Sequence, residues 1–358
     1  MNINILLLSL SISILFFASC EISEQKLFDQ RTMQLKNVND FGATPLHDEF
    51  EASSEQLANN VQAFSDDITL ENLNTIKTQW RTTANLFKRC ELYDIGEVNG
   101  SFIHFRIHRW PIDAERLEDS LQSTLPLTYE DFSGLGSSIL GIAALEHLLF
   151  ENDVNTTLLQ FQNEPKRLTY LKFTADYLKE KATELNSIWK DYSSFFITAL
   201  ETEIAGGQNQ MTNTLAAYLD ESVKARLAKP LGEESGLPPN KNLLEAPISD
   251  ASLNFIRSGF GEWKRCFSGE YANSTNNYGF DDYLVALDNQ DLVNRINTAV
   301  QDCDNALANL TSLNQDLETE TAKVIALNDT FKALVILIKV DMGSFINAII
   351  TPNDADGD

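Results

Sequence analysis

Apolar residues recur along this chain at helical rather than alternating intervals. Leu57, Val61, Phe64 and Ile68 predict one amphipathic helix, and Leu73, Ile76, Trp80, Ala84 and Phe87 predict a second beyond the Asp66-Asp67 break. A longer run carries Leu168, Leu171, Ala175, Leu178, Ala182, Leu185, Ile188 and Trp189, and is extended by Phe195, Leu200 and Ile204 up to Gly206-Gly207. Met211–Leu227, Leu253–Phe260, Tyr283–Leu310 and Leu327–Ile350 complete the helical set, and no stretch alternates for long enough to be read as a strand. The pattern predicts an all-α protein.

The densest stretch is Gly134–Phe150, apolar on nearly every side once its glycines are passed, as expected of a helix that lies inside something. Helical spacing places Glu146 on one stripe with Ile139, Ile142, Leu149 and Phe150. A carboxylate in that setting is paired, protonated or bound to a cation, because an unpaired buried charge costs several kcal/mol. Two roles are open to Glu146: a partner for Lys or Arg across an interface, or a contact to a ligand.

A repeated string divides the chain. Leu86-Phe87-Lys88-Arg89-Cys90 is echoed by Glu262-Trp263-Lys264-Arg265-Cys266, and Asp341 interrupts a late apolar stripe much as Glu146 interrupts the early one. With the Pro/Gly-rich stretch before Ile248, this predicts two helical bundles related by internal duplication. The expected organisation is a lipoprotein signal peptide at 1–19, a tether at 20–47, an N-terminal bundle at 48–228, a linker at 229–247 and a C-terminal bundle at 248–358.

The leader comes from the first twenty residues, where an apolar run ends in Phe17-Ala18-Ser19-Cys20. This resembles the bacterial lipobox, which implies lipid on Cys20 and anchorage to the cell envelope, on the periplasmic side of the outer membrane or at the cell surface. Cys90, Cys266 and Cys303 then remain, an odd number, so at least one is unpaired and the pairing stays open.

Composition narrows the functions. At 358 residues, with 52 acidic against 27 basic side chains and a net charge of -25, the chain has no basic stripe for phosphates, which excludes nucleic acid as a partner. Among local motifs, His104 and His108 lie four apart and would share a helix face able to hold a metal, although the aromatic residues around them suit a packed segment equally. Ser249 with Ser252 is expected to cap the following helix. The acidic tail Asp354–Asp358 is expected to be solvated.

Trp80 followed by Glu91, the segment Ile107-His108-Arg109-Trp110-Pro111-Ile112-Asp113, the helix Gly141–Phe150, Lys229-Pro230-Leu231-Gly232, Glu245-Ala246-Pro247-Ile248-Ser249 and the closing Asp356-Gly357-Asp358 together resemble the imelysin-like, or iron-regulated protein A-like, family. The resemblance implies an exported protein of two helical bundles linked to iron uptake, within a family nominally of metallopeptidases. It places Gly141 and Glu146 at the ends of the signature Gly-x-His-x-x-Glu, whose histidine position is Ala143 here. Alanine cannot ligate a metal, and His147 is turned away by about 100° from Glu146 on a helix. The peptidase reading is weakened accordingly.

The resemblance implies ligand contacts from Glu146, Trp110, Asp113, Glu245, Ser249 and Arg257, with Glu146 also the candidate metal ligand and Arg257 its natural partner across the interface. The leading expectation is a lipid-anchored binding protein, associated with components of iron uptake, that holds its ligand, iron among the possibilities, between two bundles. The alternatives are a metal-dependent hydrolase and a non-catalytic surface interaction module.

Overall fold

A computed structural model describes residues 25–123 and 127–351, and among these there is no strand. The expected signal peptide, Cys20 and the acidic tail lie outside the described residues. Helix α1 spans residues 25–37 and continues through a π-helical stretch, Val38–Ala43, into α2, Thr44–Asp66. The expected tether is therefore wrong from residue 25 onward. Leu35, Val38, Ala43 and Leu46 are buried, an apolar stripe spread too thinly among polar residues to be recognised in the sequence.

Asp67 is extended and Thr69 accepts the backbone N–H of Asn72, so the Asp66-Asp67 break is real and α3, Leu70–Cys90, starts on a side-chain cap. Leu73, Ile76, Trp80, Ala84 and Phe87 form its buried stripe. Each such fully buried large side chain contributes about 1.5–3 kcal/mol.

Helix α4, Gly141–Phe150, is buried at every position from Gly141 to Leu149. Its start needs glycine. Gly141 has φ +71, and a Cβ there would stand 2.1 Å from the Ile107 carbonyl oxygen, so only a bare backbone lets α4 close on the segment that carries His108.

Helix α5, Pro165–Phe196, opens on proline and holds the long run seen in the sequence, but it stops short of Leu200 and Ile204, and a separate helix, Val154–Asn163, precedes it. The remaining long helices are α6, Gly207–Glu221, followed by a π-helical stretch Ser222–Ala228; α7, Ser252–Ser268; α8, Gln290–Ala308; and α9, Thr321–Ile336, followed by a further such stretch, Leu337–Met342.

Helix α2 packs on α3 and α5, with α4 against both α3 and α5, while α8 packs on α9. Helix α7 lies on α3 and joins the two groups, and one continuous hydrophobic core runs from Leu35 to Ile346. The division at residue 228 is not followed by the packing, because α6 sits on α9. Nor is 229–247 a free linker: residues 233–243 are exposed, but Pro230, Leu231, Leu244, Glu245 and Ala246 are buried.

The repeated strings close α3 and α7, two helices that pack together, but the chain diverges directly after them, into a 3-10 turn Glu91–Tyr93 in one case and Gly269 in the other. Asp341 does not echo Glu146. It is partly exposed and paired with Arg295 at 2.5 Å. Cys90, Cys266 and Cys303 are all free and buried. No described helix is long and apolar enough to cross a membrane.

Candidate functional site

Four charged side chains from separate parts of the chain meet in a closed ring. Lys88, near the end of α3, donates to Glu91 Oε1 at 2.5 Å and to Glu245 Oε1; Arg226, on the π-helical stretch after α6, donates to Glu91 Oε2 at 2.9 Å and to Glu245 Oε2 at 3.0 Å. Each carboxylate thus binds both cations and each cation both carboxylates. Lys88, Glu245 and Arg226 are buried, and Glu91 faces partly outward. Burial alone would raise the Glu245 carboxyl, but Lys88 and Arg226 outweigh it and hold the group at about 2. The lysine ammonium also lies over the rings of Phe87 and Phe255, at 5.4 and 5.5 Å.

His108 stands at the edge of this ring, its Nδ1 3.5 Å from Glu245 Oε1 without making a hydrogen bond. Burial, then Lys88 beside it, drives the imidazole well below its ordinary value, so it is neutral. Glu91, His108 and Glu245 each offer an atom within 4.8 Å of the others, the spacing of a metal site. Lys88 and Arg226 already neutralise both carboxylates, however, and a cation would have to displace them.

Above the ring opens a cavity of about 900 Å³. Its walls come from 91–110, from α6 with the stretch after it, and from 339–351, so segments distant in sequence close around it. The π-helical stretches after α6 and α9 place Arg226 and Lys339 in its wall, in keeping with the tendency of such turns to sit at functional positions. Asp94, His104 and His108 belong to this wall, and their Oδ1, Nε2 and Nδ1 atoms are buried within it without hydrogen-bond partners.

The expected site residues are distributed as follows. Glu245 belongs to the ring and Trp110 lines the cavity. Asp113 is exposed and caps the helix Ala114–Gln122 through the Arg116 N–H. Glu146 is buried but is not part of the cavity wall: its Oε1 accepts the backbone N–H of Ser249 at 2.8 Å and the Ser249 hydroxyl at 2.7 Å. Burial pushes its carboxyl up to about 7, against the Ser249 hydrogen bonds that favour the ionised form.

The expected Arg257 partnership is wrong, because Arg257 donates to the carbonyls of Leu307 and Leu310 on the far side of α7. Ser252 does not cap α7 either; its hydroxyl accepts the Ala246 N–H and so braces the loop that carries Glu245. That loop is further fixed by Arg81 on the Ser249 carbonyl and Asn314 on the Pro247 carbonyl.

His104 and His108 do not share a helix face. The helix Ile103–Ile107 ends between them, and while both edge onto Phe87, His104 turns to Asp94 and His108 to Glu245. Among the described residues no metal set forms around Glu146: Ala143 is buried on the same helix, and His147 turns to Glu118 at 2.8 Å. Sequence reasoning missed Arg226 altogether. Its signal was weak, because Lys224 and Lys229 flank it and the sequence does not show which of the three charges turns inward.

No curated protein sequence matches the chain. Among solved structures, an imelysin-like protein from Psychrobacter arcticum 273-4 superposes with a TM-score of 0.76 at 17% identity, covering 91% of this chain and 98% of that one. A protein provisionally named an iron-regulated protein A precursor, from Parabacteroides distasonis ATCC 8503, gives a TM-score of 0.68 at 16% identity, covering 88% and 95%. At such identity the likeness establishes the fold. Residues 43–339, most of the chain, match the family model described as imelysin, and the chain belongs to the imelysin family.

Proposed function

We propose that this chain is an exported, lipid-anchored binding protein associated with iron uptake, which holds its ligand in the cavity above the Lys88–Glu91–Arg226–Glu245 ring. The observation that carries this reading is the cavity itself, about 900 Å³ closed over the ring by segments distant in sequence, with Asp94, His104 and His108 in its wall. A concave cavity of this size with a few convergent polar residues in its wall is the usual form of a small-molecule site. The ring is self-neutralised, so it forms a rigid floor rather than a titrating one.

Anchorage rests on the lipobox-like Phe17–Cys20, and the precursor status in the name of the Parabacteroides relative supports export. Iron-uptake components of the envelope are the partners the family suggests. A hydrolase is the weaker reading. Its metal would need at least three protein ligands and an open position for water, whereas Ala143 removes the signature ligand, Ser249 engages Glu146, and the remaining carboxylates are held by Lys88 and Arg226.

Calorimetric titration of the mature chain with iron(III) citrate, haem and zinc tests the assignment, with His108→Ala and Glu91→Gln as cavity variants. Binding of one of these, weakened by both substitutions, is expected. Binding indifferent to both substitutions would move the site elsewhere, and no binding at all would remove the reading.

A further inference from the structure

We infer that the cavity takes a small organic anion with a flat aromatic body, an aromatic acid or an acidic chelate built from one, rather than a bare metal cation. This rests on the reading that the cavity is the binding site, and goes beyond it by naming the ligand class from two independent features of the wall.

The first is charge. The chain carries 52 acidic and 27 basic side chains, yet the cavity is lined by four of each. The acids are largely spent. Glu91 is held in the ring, Asp220 is paired with Lys339 at 2.9 Å, and Asp94 faces His104 Nδ1 at 3.6 Å and accepts from Asn99. Burial raises the carboxyl of Glu221. Among the cations, Arg109 has only a 3.5 Å contact to the Ser137 hydroxyl, and Lys229 is exposed with no carboxylate partner among the described residues. In a protein this acidic, a hollow whose wall balances acids with cations and leaves Arg109 and Lys229 unpaired is a relatively favourable place for an anion. The Arg109 guanidinium also suits a carboxylate geometrically.

The second is the mouth. Phe102, Phe105 and Ile204 are 65%, 53% and 56% exposed and all belong to the cavity lining, joined there by the half-buried Trp110. Single exposed apolar side chains are ordinary, but four around one opening form a surface for an apolar body. Phe102 holds φ 56, a conformation that L side chains rarely adopt, and the Phe102 and Phe105 ring centroids lie 6.4 Å apart. Three aromatic rings within nine residues thus line the same cavity as Arg109 and Lys229. A planar aromatic anion satisfies both features together, whereas a bare ion uses neither and is far smaller than the space.

The protein carries its own reporter. Trp80, Trp189 and Trp263 are fully buried, which leaves Trp110 as the tryptophan a cavity ligand would reach. The mature chain is titrated with 2,3-dihydroxybenzoate, with its iron(III) complex, with iron(III) citrate and with zinc ion alone, following tryptophan emission and heat. The aromatic probes are expected to quench emission and to bind about tenfold or more tighter than the citrate complex. Their binding should weaken with added salt, and weaken about tenfold in Arg109→Gln/Lys229→Gln and again in Phe102→Ser/Phe105→Ser. All four positions are exposed, so unchanged melting curves confirm that these variants fold. If zinc or the citrate complex binds in a manner lost in His108→Ala while the aromatic probes neither bind nor displace it, the cavity stands and the ligand class is wrong. If none of the four probes binds, the cavity assignment falls as well.

Discussion

Glu146→Gln offers a quantitative test of the buried carboxyl. Glu146 is 4% exposed, and burial lifts its carboxyl from the ordinary 4.5 to about 7. The folded state therefore binds this proton more tightly than the unfolded chain, so its contribution to stability is present below pH 4.5 and is lost as pH rises through 7. The gap between 4.5 and about 7, at about 1.36 kcal/mol per pH unit, amounts to roughly 3 kcal/mol. Glutamine keeps an oxygen to accept from the Ser249 N–H and hydroxyl but does not titrate.

The assay is urea unfolding of both proteins at pH values from 4.5 to 8. Wild type should lose roughly 3 kcal/mol relative to the variant across that range. The variant's amide incurs a constant cost that cancels in this difference. Parallel stability curves, or wild type gaining on the variant as pH rises, would show that Glu146 is solvated or paired with a cation and would undo the reasoning.

The remaining predictions concern the same framework. Ser249→Ala should cost about 1–2 kcal/mol at pH 8, read by urea midpoint, and should raise the Glu146 carboxyl further by removing a hydrogen bond that favours its ionised form. Lys88→Met leaves Glu91 and Glu245 with a single cation between them, and should destabilise the fold by about 3–5 kcal/mol in thermal or chemical unfolding; a neutral result would mean that the ring is not formed in solution. Gly141→Ala forces an L side chain to φ +71 against the Ile107 carbonyl and should cost more than about 2 kcal/mol, with the loss seen as a lowered melting temperature. Trp80→Phe removes the indole donor to the Ile142 carbonyl and should cost about 1 kcal/mol beyond its lost packing, read as a lowered urea midpoint.

The helical architecture was legible because apolar spacing repeats over long segments: the stripe of α3 and the density of α4 follow directly from their residues. The burial of Glu146 was equally visible, since a charge on an apolar stripe has few places to go. What escaped was partnership. Arg257 lies near Ser249 in sequence but points across α7, and the loop takes its support instead from Arg81, Asn314 and Ser252, each contributed by a turn of helix or loop that no local spacing identifies. The same limit hid the ring, whose four members stand at positions 88, 91, 226 and 245. Residues 25–47 were misjudged for a different reason: their few apolar side chains bury on surfaces provided by the remainder of the chain, so the composition of that stretch alone does not show that it is ordered.

That ring also governs how the protein comes apart. Because Lys88 and Glu91 belong to the first group of helices while Arg226 and Glu245 arrive from the far end of α6 and the loop before α7, peeling either group away would strand four ions in a poorly hydrated crevice. Partial opening is thereby made costlier than its lost apolar contacts alone would imply. The two groups of helices are bound to melt as one cooperative unit, with a single calorimetric peak and no protease-resistant half left behind.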